Sequence, residues 1–185
     1  MADRTADNRA ATLADDHARH MFREAMSRLA SGVTIVASVD DQGRPRGFTA
    51  NAFCSLSADP ALILVCLDQG ARCHETFMRA SVFSVSILTD RHQDVALRFS
   101  SKTQIDKFRS GEFAADASGV IRMTGALACI TCETYRRLPI GDHTIIIGRV
   151  LSAEVSHGQP AIYFNRRFRQ LCDVDCACRL PVSFG

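Results

Sequence analysis

The chain has 185 residues, a length that suits one globular domain with loose ends. Its hydrophobic share of 46% and charged share of 23% exclude a mostly disordered chain, a coiled coil and a collagen-like fibre. The 22 basic and 20 acidic residues nearly cancel, so the charge does not favour a nucleic-acid binder, and no apolar run approaches the roughly 20 residues that span a bilayer. We therefore expect a cytoplasmic protein that binds neither nucleic acid nor membranes.

The first third of the chain is predicted to contain a tail, a helix and three strands. Residues 1–18 are polar, have no apolar core of the kind found in a signal peptide, and are expected to form a disordered tail. The β-branched segment 33–39 predicts a strand, 47–57 predicts a second, and the apolar run 61–67 predicts a buried third. Ahead of these strands, apolar side chains at helical spacing predict an amphipathic helix: Met21, Phe22, Ala25, Met26 and Leu29.

The rest of the chain continues with strands interrupted by short helices. Strands are predicted at 81–88, 126–135, 143–155 and 161–168, and short helices at 71–80 and 92–100. Strand and helix do not alternate strictly, which argues against a doubly wound parallel sheet. The pattern predicts a mainly β protein, with six or seven antiparallel strands forming a barrel and short inserted helices.

The eight cysteines divide into buried-looking ones and a cluster in the tail. Cys129 and Cys132 form a CxxC within a predicted strand, where residues three apart point to opposite faces, so neither a redox pair nor a chelate is expected. Cys172, Cys176 and Cys178 lie within the tail 172–185, in a spacing that matches no common zinc motif. We predict no metal site and leave the role of this tail open.

Few residues stand out as catalytic candidates. The sequence contains no GxGxxG after a strand, no P-loop and no GxSxG elbow, so these nucleotide and hydrolase sites are unsupported. His143 lies in GDHTIIIG, where a turn meets a strand, and is either a site residue at a barrel mouth or an ordinary surface histidine. The segment 47–57 is rich in small polar side chains, which suits a strand that lets a flat ligand approach the backbone, or simply a polar strand face.

A family resemblance joins these segments. GFTANAFCSLSADPALILVCLDQGARCHETF, SVFSVSIL, DKF, GDHTIIIGRV and AIYFNRRFRQL occur in the order typical of the short-chain flavin reductases, and the resemblance runs from about Phe22 to Leu171. It implies a Greek-key split barrel of the FMN-binding type over residues 19–171, working as a homodimer. A closed barrel also agrees with the antiparallel pattern, because closure removes exposed strand edges.

The resemblance also implies an activity. Members of this family are NAD(P)H:flavin oxidoreductases that pass a hydride from NADH or NADPH to FMN or FAD and supply reduced flavin to a partner monooxygenase. Two alternatives use the same barrel: a flavin enzyme that passes electrons to a bound corrinoid or ferric chelate, and a non-enzymatic flavin- or haem-binding module. The choices between FMN and FAD, and between NADH and NADPH, stay open, as do the identity of the partner and whether flavin is tightly bound or diffuses.

The resemblance further implies which residues form the site. Either Phe99, Ser101 and Lys102, or Lys107 and Phe108 of the DKF segment, would reach the distal part of the flavin. His143 would face the nicotinamide and is the predicted catalytic residue. The residues implied to hold the isoalloxazine edge, the ribityl phosphate and the nicotinamide are, in that order, Gly47, Phe48, Thr49, Asn51 and Ala52; Cys66, Leu67, Asp68, Ala71 and Arg72; and Tyr163, Phe164, Asn165 and Arg166.

Overall fold

Among the residues that the structure describes, the fold consists of one large antiparallel sheet, three α-helices and two small sheets. The computed structural model describes residues 4–103, 106–116 and 119–171. The helices are α1 (Arg4–Ser27), α2 (His74–Arg79) and α3 (Gln93–Ser100), with a 3₁₀ turn at Asp90–His92. The strands are β1 (Ser31–Gly32), β2 (Thr34–Val39), β3 (Pro45–Ala50), β4 (Phe53–Ala58), β5 (Ala61–Asp68), β6 (Val82–Ile87), β7 (Phe113–Ala115), β8 (Ile121–Met123), β9 (Ala128–Ile140), β10 (His143–Val155), β11 (Ile162–Phe164) and β12 (Arg167–Arg169).

The large sheet curls back on itself. Its seven strands follow the order β3-β2-β6-β9-β10-β5-β4, and every neighbouring pair is antiparallel. The Cys66 N–H donates to the Ala52 carbonyl over 3.1 Å, which brings the link between the two edge strands against β5. The mainly β, antiparallel split barrel predicted from the sequence is therefore confirmed.

Two apolar cores lie on opposite sides of the sheet. Phe77 of α2 and Phe83 of β6 are fully buried inside the barrel, in edge-to-face contact at 6.5 Å between ring centroids. The second core lies under α3 and includes Phe99. Cys132 belongs to the first core and Cys129 packs against the second, which confirms that the two thiols point to opposite faces.

The N-terminal helix differs from the expectation. It begins at Arg4, where a tail disordered to residue 18 was expected. The reason lies in local propensity, because this segment is rich in alanine and carries the i,i+4 pair Asp15–Arg19. The apolar stripe that predicted the helix does not pack on this chain's barrel: Met21, Phe22, Met26 and Leu29 are 48–65% exposed.

The strand ends also differ from the predicted ones. The predicted strand 47–57 is divided between β3 and β4, which are separated by Asn51 and Ala52. Residues 136–140 continue β9 instead of forming a turn, and the turn is reduced to Gly141 and Asp142. The closing segment is a hairpin in which β11 and β12 pair antiparallel. Cys172, Cys176 and Cys178 lie outside the described residues, and no helix within the described part is long and apolar enough to cross a bilayer.

Candidate active site

A cavity of about 410 Å³ opens between β3, β5 and α3, in the size range of small-molecule sites. It brings together residues from five separate parts of the chain, and most of the predicted site residues line it. These are Gly47, Phe48, Thr49, Asn51, Ala52, Cys66, Leu67, Asp68, Ala71, Arg72, Phe99, Ser101, Lys102, Lys107, Phe108 and His143. Thus the resemblance selected residues that are far apart in sequence and adjacent in space.

Gly47 lets the cavity wall lie close to its neighbours. A Cβ placed there would be 2.7 Å from the Val36 carbonyl oxygen and 3.1 Å from both the Phe99 and the Phe108 ring. Those two rings are in edge contact, with their centroids 4.9 Å apart. The absence of a side chain at Gly47 therefore allows β3 and the aromatic pair to form one continuous wall.

The neighbouring Thr49 has a structural role beside its place in the wall. Its hydroxyl donates to the Ala96 carbonyl over 2.6 Å and so joins β3 to α3. This hydrogen bond commits the hydroxyl proton within the protein. Asn51 and Ala52, which follow β3, are exposed where the two strands part, so their polar atoms face the opening.

The turn after β5 shapes the opposite side. The Gly70 N–H donates to Asp68 Oδ1 over 2.7 Å, and Lys102 Nζ donates to Asp68 Oδ2 over 3.2 Å. These hydrogen bonds, the one from Gly70 foremost, hold the pKa of Asp68 below its usual value. Asp68 is therefore ionised at neutral pH and acts as the acceptor that fixes this turn and Lys102.

His143 lies on the rim, directly opposite Asp68 in the pairing of β10 with β5. Its Nδ1 is 2.7 Å from Asp142 Oδ1, and this contact lowers the pKa of the Asp142 carboxyl. The Gln69 amide donates to the His143 carbonyl over 3.0 Å, which ties the rim to the turn after β5. With Nδ1 engaged by Asp142, Nε2 is the nitrogen that His143 can offer to a ligand.

Besides Lys102, three cations line the cavity: Arg46, Arg72 and Lys107. Lys107 Nζ donates to the Phe99 carbonyl over 2.6 Å. Burial lowers the pKa of Lys107, and the charge of Arg72, which lines the same cavity, lowers it further. Within the described part of the chain, the Arg72 side chain makes no ion pair or hydrogen bond, so its charge is available to an anion.

A buried arginine holds Lys107 in this place. Arg98 is 5% exposed, donates through Nε to the Lys107 carbonyl over 3.0 Å, and forms an ion pair with Glu112. One guanidinium thereby fixes both ends of the segment that carries Lys107 and Phe108. This segment forms a wall of the cavity, so Arg98 positions the wall without touching the space itself.

The two cavity thiols are poor nucleophiles. Burial raises the pKa of Cys73 to about 11 and also raises that of Cys66. Both side chains are therefore protonated at neutral pH, and thiols react far less readily than thiolates. They fill the wall instead of offering covalent chemistry.

The predicted nicotinamide residues of the closing hairpin do not line this cavity. Tyr163 packs on Phe168 with ring centroids 5.4 Å apart, against the second core. Asn165 and Arg166 form the hairpin turn with φ angles of 50° and 60°. The Asn165 N–H donates to the Ser27 carbonyl over 2.7 Å, and Arg166 pairs with Glu24 over 2.6 Å. In this chain Asn165 and Arg166 thus attach the hairpin to α1, and their role toward the nicotinamide stays a prediction.

The cavity also contains residues that the sequence did not single out. Pro45, Arg46, Ala50 and Ser100 line it as well. Arg46 was detectable in principle, because it directly precedes the polar strand beginning at Gly47, and a cation there can reach the same space. In the part of the chain described by the structure, no group of three or more His, Cys, Asp or Glu residues is arranged to hold a metal ion.

Comparison with known proteins agrees with this geometry. The model of the flavin reductase like domain matches residues 26–172. The chain belongs to the flavin reductase-like family. This flavin reductase-like protein is 43% identical over 166 residues to the actinorhodin polyketide dimerase of Streptomyces coelicolor, a match that covers 89% of the chain and 93% of the relative. It is 38% identical to the NADH:riboflavin 5'-phosphate oxidoreductase of Streptomyces pristinaespiralis, covering 85% and 93%.

Two further matches extend the comparison of this flavin reductase-like protein. The reductase subunit HsaB of a flavin-dependent monooxygenase from Rhodococcus jostii is 32% identical, over 91% of the chain and 85% of the relative. A solved structure of the Streptomyces globisporus NADH:FAD oxidoreductase SgcE6, in complex with NAD and FAD fragments, superposes with a TM-score of 0.79 at 29% identity. That match covers 85% of this chain and 95% of the other.

Proposed function

We propose that the protein is an NAD(P)H:flavin oxidoreductase that reduces FMN or FAD with NADH or NADPH and supplies reduced flavin to a partner monooxygenase. The observation that carries the proposal is the cavity. Its walls combine the β3 strand with its side-chain-free position at Gly47, the aromatic rings of Phe99 and Phe108, and several cationic side chains. The named activities of the Streptomyces pristinaespiralis and Streptomyces globisporus proteins and the HsaB subunit support the same assignment.

The wall at Gly47 fits a flat ring system. A side chain at this position would collide with Val36, Phe99 and Phe108, so the smooth wall requires glycine. Asn51 and Ala52 lie exposed beside it and offer polar groups to the ring edge. We assign this side of the cavity to the isoalloxazine.

The cationic side chains fit the flavin phosphate. Arg72 is exposed and has no hydrogen-bond or ion-pair partner among the described residues. Lys107 is half-buried and donates one hydrogen bond to the Phe99 carbonyl, so its other N–H groups can bind a phosphate. Charge-assisted hydrogen bonds from guanidinium and ammonium groups are among the stronger contacts to phosphate. The protein thus fixes both ends of a flavin by separate elements, one on β3 and one on the turn before α2.

The chemistry then needs little from the side chains. When bound, the flavin accepts a hydride, which is two electrons with one proton, from the nicotinamide C4, and solvent supplies the second proton. The protein's contribution is to hold the rings in contact and exclude alternative orientations. His143 stands at the rim with its imidazole oriented by Asp142, and we assign it the positioning of the nicotinamide.

The test is NADH oxidation by the purified protein, with FMN, with FAD and with neither. We expect flavin-dependent loss of the nicotinamide absorbance, and reduced flavin that passes an anaerobic filter retaining the protein. A yellow protein that leaves NADH untouched would favour electron transfer to a bound acceptor such as a corrinoid or ferric chelate. A haem absorption band would favour a binding module, and a colourless, inactive protein would refute the assignment.

We further propose that the protein is a homodimer in which α1 packs on a second copy. The exposed residues Met21, Phe22, Met26 and Leu29 form one apolar stripe that this chain does not cover. Burial of such side chains contributes roughly 1.5–3 kcal/mol each, enough to favour association. Light scattering should give twice the chain mass for the wild type, and Phe22→Asp should give the monomer. A wild-type monomer would contradict the proposal.

The remaining assignments follow from this function. We place the reductase domain at 19–171. Segments 1–18 and 172–185 are then not required for flavin reduction, and a truncated protein that lacks both should keep the activity. A cytoplasmic location fits the five free cysteines of the described part, because thiols persist in a reducing compartment. Cell fractionation would test this location. Flavin reductase activity recovered outside the cytoplasmic fraction would contradict it.

A further inference from the structure

A second depression adjoins the cavity and shares two arginines with it. It measures about 290 Å³ and lies between the β2–β3 turn and helix α2. Arg46 and Arg72 line both spaces, so a single ligand can extend from one to the other past these side chains. An FMN molecule with its phosphate at Arg72 would end at this border and leave the second space unused.

The depression has an excess of positive charge on the border with the cavity. It is lined by Asp40, Asp41, Gln42, Arg44, Arg46, Arg72, Glu75, Thr76 and Arg79. Asp40 pairs with Arg44 and Arg46, and Arg79 pairs with Asp41 and Glu75. Arg72 alone of the four arginines has no carboxylate partner among the described residues, so the unbalanced charge lies where two phosphates would pass.

The walls of the depression are fixed in advance. Asp40 accepts hydrogen bonds from the backbone N–H groups of Gln42 and Arg44, at 3.0 and 2.9 Å, which close the turn. Burial alone would raise the pKa of Asp40, but these hydrogen bonds and those from the arginine side chains outweigh it and lower the pKa to about 2. Arg79 then joins α2 to the turn through Asp41, over 3.1 Å.

We propose that this depression binds the adenylate half of FAD, with the two phosphates held between Arg46 and Arg72; the proposal rests on the flavin reductase function. Arginine guanidinium groups stack on purine rings and hydrogen-bond phosphates, so the lining provides both kinds of contact. Gln42 and Thr76 offer polar groups to the ribose and base. The consequence is a preference for FAD over FMN, a choice that the main cavity alone does not decide.

NADH carries an adenylate group too, so the adenylate that occupies the depression could belong to either FAD or NADH. The placement of the flavin phosphate at Arg72 favours FAD, because its adenylate group is joined directly to that phosphate and so continues into the adjoining depression. The nicotinamide, by contrast, is assigned to the His143 side of the cavity. Separate titrations with FMN, FAD and NADH distinguish the two sources.

The experiment compares Arg79→Glu with Arg91→Glu. Arg79 is an exposed residue that lines the depression but not the cavity, and Arg91 is exposed and lines neither. Dissociation constants for FMN and FAD are measured by flavin fluorescence titration. We expect the wild type to bind FAD about tenfold or more tightly than FMN, and Arg79→Glu to weaken FAD about tenfold while FMN changes less than about twofold. Arg91→Glu should match the wild type for both.

Each other outcome has a definite meaning. Equal wild-type affinities for FMN and FAD would overturn the proposal while leaving flavin reduction intact. An unchanged FAD affinity in Arg79→Glu, together with a raised KM for NADH when FMN is the acceptor, would assign the depression to NADH and also overturn it. Retained FMN binding by Arg79→Glu shows that this variant is folded. If Arg79→Glu does not fold, the same titrations are made with Arg79→Gln. A wild type that neither binds nor reduces any flavin would refute the proposed function itself.

Discussion

Substitution of Gly47 by alanine tests whether the close approach in the cavity wall is required. The new Cβ would lie 2.7 Å from the Val36 carbonyl oxygen, where ordinary contact is about 3.4 Å or more, so the two must move apart by about 0.7 Å. The Phe99 and Phe108 rings, each 3.1 Å away, oppose the same shift. Overpacking of this kind costs about 1–3 kcal/mol, of which the better strand propensity of alanine offsets about 0.5–1 kcal/mol.

The expected net loss is therefore roughly 0.5–2 kcal/mol in the free energy of unfolding, or about 1–8 °C in Tm for a chain of this size. The displaced wall should also raise the FMN dissociation constant about three- to tenfold, because misplacement by a fraction of an ångström already weakens a fitted site. Thermal unfolding and fluorescence titration measure the two effects.

The matched control is Gly32→Ala. A Cβ at Gly32 meets nothing within 4 Å, and Gly32 lies in a strand as Gly47 does. This variant should keep the wild-type Tm and FMN affinity or gain slightly in stability. A Gly47→Ala protein as stable as Gly32→Ala, with unchanged FMN binding, would refute the reasoning about the wall.

Three further substitutions address the site from other sides. Arg72→Ala should raise the KM for FMN about ten- to hundredfold and leave riboflavin unaffected, because riboflavin lacks the phosphate; equal losses for both flavins would contradict this role. His143→Ala should raise the KM for NADH about fivefold with the flavin KM unchanged, and unchanged NADH kinetics would count against the nicotinamide assignment. Glu112→Ala should cost about 3 kcal/mol in chemical denaturation, since it leaves the buried Arg98 charge unpaired, whereas Glu112→Gln should lose less because the amide oxygen still accepts a hydrogen bond. A Glu112→Ala protein of wild-type stability would show that Arg98 does not depend on its partner.

The sequence predicted the barrel well because its strands carry local signals. Alternation in 81–88 and the apolar run 61–67 each mark a strand with a buried side, and both were found as β6 and β5. The opposite orientation of Cys129 and Cys132 followed from strand geometry alone. The cavity residues from Gly47 to His143 depended on the resemblance, since no local pattern brings β3, the turn before α2 and the rim of β10 together.

The failures occurred where tertiary contacts decide. The stripe at Met21 and Phe22 correctly predicted a helix, but amphipathicity does not tell which surface covers the apolar side, and here it faces away from the barrel. The helix extends back to Arg4 because the alanine-rich segment favours a helix and the i,i+4 ion pair between Asp15 and Arg19 supports it. The nicotinamide assignment of Asn165 and Arg166 stays a prediction, and their hairpin turn attaches to α1 through backbone and ion-pair contacts that no sequence pattern marks.

The buried thiols of the cavity have a consequence for the lifetime of the enzyme. Reduced flavin released into air reacts with oxygen to form hydrogen peroxide, so the proposed reaction exposes the enzyme to an oxidant during turnover. Peroxide attacks the thiolate, and with a pKa of about 11 the Cys73 side chain is in that form in only about one molecule in ten thousand at neutral pH. Burial that leaves Cys73 unsuited to catalysis thus also protects the cavity from damage during turnover.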